Sequence, residues 1–209
     1  MGDVSVKSAP KKEGVGSMIV LGLVLAVYAL VCCTVLALVN VFTAPRIRQN
    51  QERKVSEAMR EFFPDSGLTF ETVDDYKAPV VGAITVDEIY VAKKDGEIVG
   101  GAAQVTGPTY DQGSILIGMK TDGTVAGLKF LKLTDSPGFG LKANDSTFKL
   151  PSGKTFYGQF EGKNARESFE AGKNFDAISG ATITSVAVSS LINEGTKNLF
   201  AYFDLKGAN

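Results

Sequence analysis

The chain has 209 residues, with 22 basic and 23 acidic side chains and no histidine, so its formal net charge is −1. A near-neutral chain argues against a surface that binds nucleic acid through its phosphates, and the lack of histidine excludes Ser-His-Asp nucleophiles and His-ligated zinc. The two cysteines, Cys32 and Cys33, are adjacent and cannot by themselves ligate an iron–sulfur cluster. Any redox or metal chemistry therefore depends on an organic cofactor, on carboxylates or on another subunit.

The first predicted element is a membrane span. The 22 residues from Met18 to Val39 are all apolar or glycine, apart from Thr34. At about 1.5 Å per residue, a helix of this length extends about 33 Å, enough for a hydrocarbon core of roughly 30 Å. We expect Pro45 to end this helix. A cleaved signal peptide is the alternative, but the run is too long for one and lacks a small-x-small cleavage site.

The side of the membrane that carries the rest of the chain is not predicted by charge. Lysines and arginines flank the span in nearly equal numbers, so the bias that normally sets orientation is absent.

A helix that leaves the membrane is predicted for residues 46–63. Apolar residues recur at helical spacing along one face of this segment: Val55, Ala58, Met59 and Phe62. Its charged residues are typical either of a helix on the membrane surface or of a solvated face beside a core stripe, and Pro64 is expected to stop it.

An antiparallel β-meander is predicted next. Four β-rich segments follow one another, at 86–94, 97–106, 113–120 and 124–133. Asp95-Gly96 separates the first two and Asp122-Gly123 the last two, and Asp-Gly is typical of a type I′ hairpin turn, in which both central residues have positive φ. The last periodic stretch, about 184–203, predicts a C-terminal helix. The order helix, meander, helix indicates an α+β domain.

The segment from Asp176 to Ser185, DAISGATITS, carries the predicted chemistry. Its small residues and Gly180 allow a ligand to approach the backbone closely. The unpaired amides at the start of the following helix form an anion site of phosphate size. Hydroxyl donors are supplied by Thr182, Thr184 and Ser185. The alternative is an ordinary capped turn, in which Thr184 or Ser185 caps the helix and Ser179-Gly180 is a tight turn.

This segment resembles the flavinylation motif of FMN-binding domains, Asp-x-x-(Ser/Thr)-Gly-Ala-(Thr/Ser). The matching residues are Asp176, Ser179, Gly180, Ala181 and Thr182. In that family the last threonine carries FMN through a phosphoester bond, which a separate flavin transferase installs from FAD. The resemblance implies Thr182 as the acceptor, with Thr184 as a second hydroxyl nearby.

A second motif lies after the meander, where Asp-Ser-Pro-Gly-Phe-Gly spans Asp135 to Gly140. It resembles the Glu-Thr-Pro-Gly-Leu-Gly turn of the RnfG family and of the related NqrC family, whose members have one N-terminal span. The matching residues are Pro137, Gly138 and Gly140. The resemblance implies that this turn walls the flavin site and that Phe139 packs on the isoalloxazine, although an ordinary core phenylalanine is the alternative. Asp135 in place of glutamate puts in doubt any contact that needs the longer side chain.

Together the motifs imply an RnfG-like, membrane-anchored electron carrier with covalent FMN. Its partners would be the other membrane and iron–sulfur subunits of an Rnf-type complex, which couples ferredoxin oxidation and NAD reduction to Na⁺ or H⁺ translocation. An NqrC-like subunit or a stand-alone anchored FMN reductase is the first alternative. A cofactor-free anchored binding module is the second.

The resemblance also implies a location and a division of the chain. The expected location is a bacterial or archaeal plasma membrane, crossed once, with the flavin domain on the extracytoplasmic face. The expected parts are a flexible cytoplasmic tail over 1–16, a transmembrane helix over 17–44, a juxtamembrane helix and linker over 45–80 and an FMN-binding domain over 81–209.

Overall fold

The computed structural model describes residues 15–208, so the tail predicted for 1–16 falls almost wholly outside the described residues. The chain forms two compact units that meet between Asn50 and Gln51. The first contains most of helix α1 (Val15–Phe62). This helix is long and apolar enough to cross a membrane, and none of its apolar stretch is buried.

Helix α1 continues through Pro45, so the prediction that this proline ends the helix is wrong. Proline has a fixed φ near the helical value, although it lacks the N–H that would bond to the carbonyl four residues earlier and its ring crowds that carbonyl. The long helical segments on either side are enough to hold the helix across that single missing bond. The helix predicted for 46–63 is therefore the last part of α1.

The second unit is built on one five-stranded antiparallel sheet with strand order β1-β2-β3-β4-β5. The strands are β1 (Thr69–Thr72), β2 (Thr85–Lys94), β3 (Glu97–Pro108), β4 (Gln112–Lys120) and β5 (Val125–Leu133). The four predicted strands are all present, and their ends lie within two residues of the predicted ones. The α+β class is confirmed. The edge strand β1 is an addition that the sequence pattern did not reveal.

The two Asp-Gly hairpins differ in their turns. Asp95 (φ 53°) and Gly96 (φ 88°) both have positive φ, which confirms a type I′ turn between β2 and β3. Between β4 and β5, only Gly123 is left-handed (φ 90°), and its amide donates to Lys120 O at 3.0 Å. This is a type I turn followed by a glycine in the left-handed region, so the type I′ prediction is wrong here. The carboxylate of Asp122 accepts the Thr124 amide at 2.7 Å, and this local bond favours the alternative turn.

Each face of the sheet has its own hydrophobic core. One face packs against helix α2 (Thr182–Lys206), which begins two residues before the predicted start. The other face packs against the end of α1, through the residues Val55, Ala58, Met59, Phe62 and Phe63. The apolar stripe predicted for residues 46–63 is therefore a core stripe.

The end of α1 docks into a glycine slot on the sheet. Gly118 of β4 and Gly127 of β5 lie opposite each other, and the ring of Phe62 lies over both. A Cβ atom added to either glycine would come within 2.4 Å of that ring. Because the glycines have no side chains, the helix approaches the sheet closely enough to bury Phe62 almost completely.

The segment between β5 and α2 holds two short 3₁₀ turns, Gly140–Asn144 and Tyr157–Gln159. Four of its phenylalanines, Phe156, Phe160, Phe169 and Phe175, form a cluster of ring contacts. Phe160 lies at its centre, with its ring centroid 5.3 Å from that of Phe169 in an edge-to-face contact and 5.3 Å from that of Phe175 in a tilted one. This cluster continues the α2-side core and supports the loops that lead to the motif.

Candidate functional site

The predicted motif forms a tight turn followed directly by a helix start. The Ala181 amide donates to Ile178 O at 2.9 Å, and Gly180 has φ +80°. Positive φ at the third residue of such a turn is characteristic of type II and favours glycine. The Ser185 amide makes the first intrahelical bond, to Ala181 O at 3.0 Å. The three preceding amides, those of residues 182–184, are therefore the N-terminal donors of α2.

The hydroxyl groups of the motif fall into two classes. Thr182 and Ser179 are exposed. Thr184 and Ser185 are buried, and both donate to acceptors within the protein: Thr184 to Asp135, and Ser185 to Ala181 O at 2.9 Å. Of the three hydroxyls that follow Gly180, Thr182 is thus the accessible one.

The helix cap differs from the one considered in the sequence. Ala181 precedes the helix and makes no side-chain capping bond. Thr184 and Ser185 lie inside the first turn, where their hydroxyls serve other partners. The capped-turn alternative is therefore wrong in its choice of capping residue, although the Ser179-Gly180 turn that it assumed is present.

Asp135 joins the two predicted motifs. Its carboxylate is buried and accepts the Thr184 hydroxyl on Oδ2 at 2.5 Å. It also accepts the Thr109 hydroxyl and the amides of Asp111 (3.0 Å) and Tyr110 (3.3 Å), all from the β3–β4 connection. One carboxylate thus holds together the β3–β4 connection, the turn after β5 and the first turn of α2.

These bonds also set the charge state of Asp135. Burial alone would raise the pKa of its carboxyl group, but the hydrogen bonds from Thr109, Thr184 and the two amides outweigh burial and lower the pKa below its usual value. The carboxylate is therefore ionised at neutral pH and is a weak base.

Gly140 closes this network. A Cβ atom at Gly140 would lie 2.6 Å from both Asp135 Oδ2 and Thr184 Oγ1. Any side chain at this position would displace the hydrogen-bonded pair. The last glycine of the second motif is therefore required by close packing against the first motif.

Phe139 lies beside the motif turn and not in the core. Its side chain is 57% exposed, which excludes the core alternative. The nearest atoms to a Cβ built on Gly180 are Cδ1 and Cε1 of Phe139, at 3.5 and 3.7 Å. Pro137 and Gly138 are also exposed, so this turn presents a free aromatic face next to the motif.

Two tyrosines that could flank a flavin, Tyr90 and Tyr110, lie in different parts of the domain. Tyr110 is 66% exposed and follows Thr109 in the loop bound to Asp135. Tyr90 packs with the α1-side core, on the opposite face of the sheet from α2, and its hydroxyl donates to Glu88. Asp135 thus links the loop that carries Tyr110, but not the strand that carries Tyr90, to the motif.

Gln159 holds the backbone that leads into the motif. Its buried side-chain amide accepts the Asp176 N–H at 2.7 Å and donates to Asp176 O at 3.1 Å. The Asp176 side chain itself is exposed and borders a cleft of about 360 Å³ that also contains Lys163. Burial, and then the charge of Lys154, lowers the pKa of Lys163, while Asp176 acts in the opposite direction. Gln159 was missed because a lone glutamine has no sequence signature.

The residues that surround Thr182 fit a phosphate with an attached aromatic ring. The start of α2 offers three backbone donors together with the helix dipole, which favours anions. An exposed hydroxyl lies at the first helical position, and two exposed aromatic side chains, Phe139 and Tyr110, belong to the loops that Asp135 joins to this turn. This set can bind a phosphate ester and shield one side of a planar ring.

Two sequence families match the chain. The family model described as the FMN-binding domain matches residues 110–197, and the one described as the RnfG N-terminal region matches residues 12–62. The first match begins at the β3–β4 loop and covers both motifs. The second covers the whole of α1, including the end of this helix that packs on the sheet.

Curated relatives extend over most of the chain. The chain is 32% identical over 191 residues to the G subunit of the Na⁺-translocating ferredoxin:NAD⁺ oxidoreductase complex of Acetobacterium woodii, covering 83% of this chain and 87% of the relative. It is 29% identical over 189 residues to the G subunit of the ion-translocating oxidoreductase complex of Shewanella loihica, covering 86% of each. The corresponding G subunit of Vibrio cholerae is 29% identical over 178 residues, covering 80% of this chain and 83% of the relative.

Proposed function

Because this chain belongs to the RnfG family of G subunits and contains its FMN-binding domain, we propose that it is the covalent-FMN electron carrier of an Rnf-type complex. In such a complex, ferredoxin oxidation and NAD reduction are coupled to ion translocation, as the name of the Acetobacterium relative states for Na⁺. The other membrane and iron–sulfur subunits are its partners. Each relative compared above is named as the G subunit of an ion-translocating or Na⁺-translocating oxidoreductase complex, which favours this function over an NqrC-like subunit or a cofactor-free module.

The covalent attachment is supported by the difference in exposure between the hydroxyl groups of the motif. Thr182 is exposed at the first position of α2, whereas Thr184 and Ser185 are buried and engaged. A phosphate ester on Thr182 lies next to the N-terminal amides of the helix, which compensate its charge. A flavin transferase that uses FAD is the proposed source of the group.

The other motif residues have supporting roles. Gly180 adopts the left-handed backbone that the turn requires. Ala181 has only a methyl side chain, so it does not block access to the start of α2. Ser179 and Asp176 are exposed on the segment before Thr182, where a transferase can contact them. Phe139 and Tyr110 provide apolar surface for the ring, and bound FMN supplies exchange of one or two electrons.

The membrane anchor implies a location for this carrier. Helix α1 is long and apolar enough to cross a membrane, and the relatives are subunits of ion-translocating complexes, which supports a membrane location. We propose a single span with the flavin domain on the extracytoplasmic face. A covalent bond is useful there because a noncovalent flavin would be lost to dilute surroundings.

The test is flavin fluorescence of the full chain in a denaturing gel after coexpression with a flavin transferase, followed by mass mapping of the Thr182 peptide. We expect a fluorescent band and the FMN phosphoester mass on Thr182. Thr182→Ala should give a dark band, whereas Ser190→Ala, about two turns farther along the same helix, should remain fluorescent. A dark wild-type band, with the transferase active on a control substrate, would contradict covalent attachment.

A further inference from the structure

Two threonines compete for the role of acceptor at the start of α2. Thr182 and Thr184 are two residues apart, carry the same hydroxyl group and belong to the same helical turn. The motif places the acceptor at Thr182, but the chemistry of the two hydroxyl groups alone does not explain why a transferase would spare Thr184. Their surroundings differ sharply, since Thr182 is exposed and Thr184 is 1% exposed.

The carboxylate of Asp135 accounts for that difference. The Thr184 hydroxyl donates its proton to Asp135 Oδ2, and Asp135 is itself fixed by Thr109 and by the amides of Tyr110 and Asp111. The Gly140 backbone lies so close to this bond that even a methyl group there would overlap Thr184 Oγ1. No space remains at Thr184 for a phosphorus atom and its oxygens.

We propose that Asp135 is a specificity-determining positioning residue, which withholds Thr184 from the flavin transferase and holds the first turn of α2 so that Thr182 is the acceptor. This proposal rests on the covalent attachment proposed above. In the transfer, the bond between Thr182 Oγ1 and the FMN phosphorus forms and the diphosphate P–O bond of FAD breaks. AMP leaves, the hydroxyl proton is released to solvent, and nothing is oxidised or reduced.

Asp135 acts through Thr184 and not as a base. Its four hydrogen-bond donors keep it ionised and weakly basic, and its oxygens are directed to Thr109, Thr184 and the loop amides instead of to Thr182. The same bonds tie α2 to two loops. Their loss is therefore expected to loosen the first helical turn as well as to free the Thr184 hydroxyl.

The experiment maps the flavin position by fragment mass spectrometry in the full chain, coexpressed with the transferase. Thr182→Ala should carry no flavin on Thr184, because Asp135 still holds that hydroxyl. Adding Asp135→Asn to Thr182→Ala should bring flavin onto Thr184, at about tenfold or more above the background signal of the single variant, the order of effect expected when a buried hydrogen bond is lost. Asp135→Asn alone should divide the flavin between Thr182 and Thr184.

Asp145→Asn is the matched control. The Asp145 carboxylate accepts the Thr147 hydroxyl at 2.7 Å and the amides of Thr147 and Phe148, so it has a similar set of donors in a loop that does not bond to α2. This variant should carry flavin on Thr182 alone. Cooperative thermal unfolding of each variant establishes that it is folded.

The outcomes separate this proposal from the proposed function. Flavin on Thr184 in the Thr182→Ala single variant would overturn the role of Asp135, and this variant keeps the whole Asp135 network intact. A folded Asp135→Asn protein with flavin on Thr182 alone would also overturn it. A wild-type chain without covalent flavin, beside a modified control substrate, would instead contradict the proposed function itself.

Discussion

The hydrogen bond between Thr184 and Asp135 joins residues that are 49 positions apart. It explains why the Thr184 hydroxyl is buried in one motif and why the other motif has glycine at position 140, where a side chain would overlap this bond. The sequence indicated Thr182, the Gly180 turn and the proximity of the two motifs. It did not indicate that Thr109 and Gln159 hold these segments, because single polar residues acquire such partners only when distant loops meet in the fold. The shorter Asp135, which raised doubt in the sequence, makes four hydrogen bonds in the structure.

A substitution at Gly180 tests the turn at the residue scale. Gly180→Val places a β-branched side chain at φ +80°, within contact distance of the Phe139 ring. A left-handed backbone costs an L-residue about 1–2 kcal/mol. We expect this variant to lose stability of that order and to lose covalent flavin, as measured by in-gel fluorescence and thermal unfolding.

Gly153→Val is its control. Gly153 has almost the same φ, +79°, but a Cβ there meets no atom within 4 Å. It should lose similar stability and keep its flavin. Normal flavin loading of Gly180→Val would show that close approach at this turn is not needed.

At the scale of elements, the prediction succeeded where a local pattern determines the structure. Four strands and α2 follow from apolar periodicity and Asp-Gly turns. Strand β1 was not predicted because it has only four residues and is mostly exposed at the edge of the sheet. It therefore lacks the alternation of buried and exposed side chains that identifies a strand. Pro45 and the second hairpin turn were predicted wrongly because the long α1 helix and the Asp122–Thr124 bond each outweigh the usual preference of a single residue type.

The glycine slot gives a prediction at the same scale. Gly118→Ala introduces a methyl group 2.4 Å from the Phe62 ring, so we expect the free energy of unfolding to fall by about 1–3 kcal/mol. Urea unfolding of the detergent-solubilised chain, followed by tyrosine fluorescence, measures this change.

The matched variants are Phe62→Leu and the double variant. Phe62→Leu removes the ring that the methyl group meets, so Gly118→Ala should cost less in that background than alone. If Gly118→Ala lowers the free energy of unfolding equally in both backgrounds, the added methyl group does not overlap the Phe62 ring.

Within residues 15–208, one helix is long and apolar enough to span a membrane, and it precedes the FMN-binding domain. The side of the membrane on which this domain lies is the prediction to test at the scale of the whole molecule. We expect protease added outside intact cells, with any outer membrane permeabilised, to cleave within residues 51–209. A cytoplasmic marker should stay whole in the same sample. Cleavage of the chain only after lysis would contradict the extracytoplasmic placement.

The way α1 ends also determines where the chain can be shortened. The last turns of α1 cover one face of the sheet, so this end of the helix belongs to the domain and only the part before Gln51 can be removed. A soluble fragment that begins at Gln51 keeps the whole compact unit. One that begins after Phe63 would leave Ala92, Leu116 and Leu131 uncovered and would be prone to aggregation. Enzymes that release such domains from membranes would therefore have to cut upstream of Val55 to leave an intact carrier.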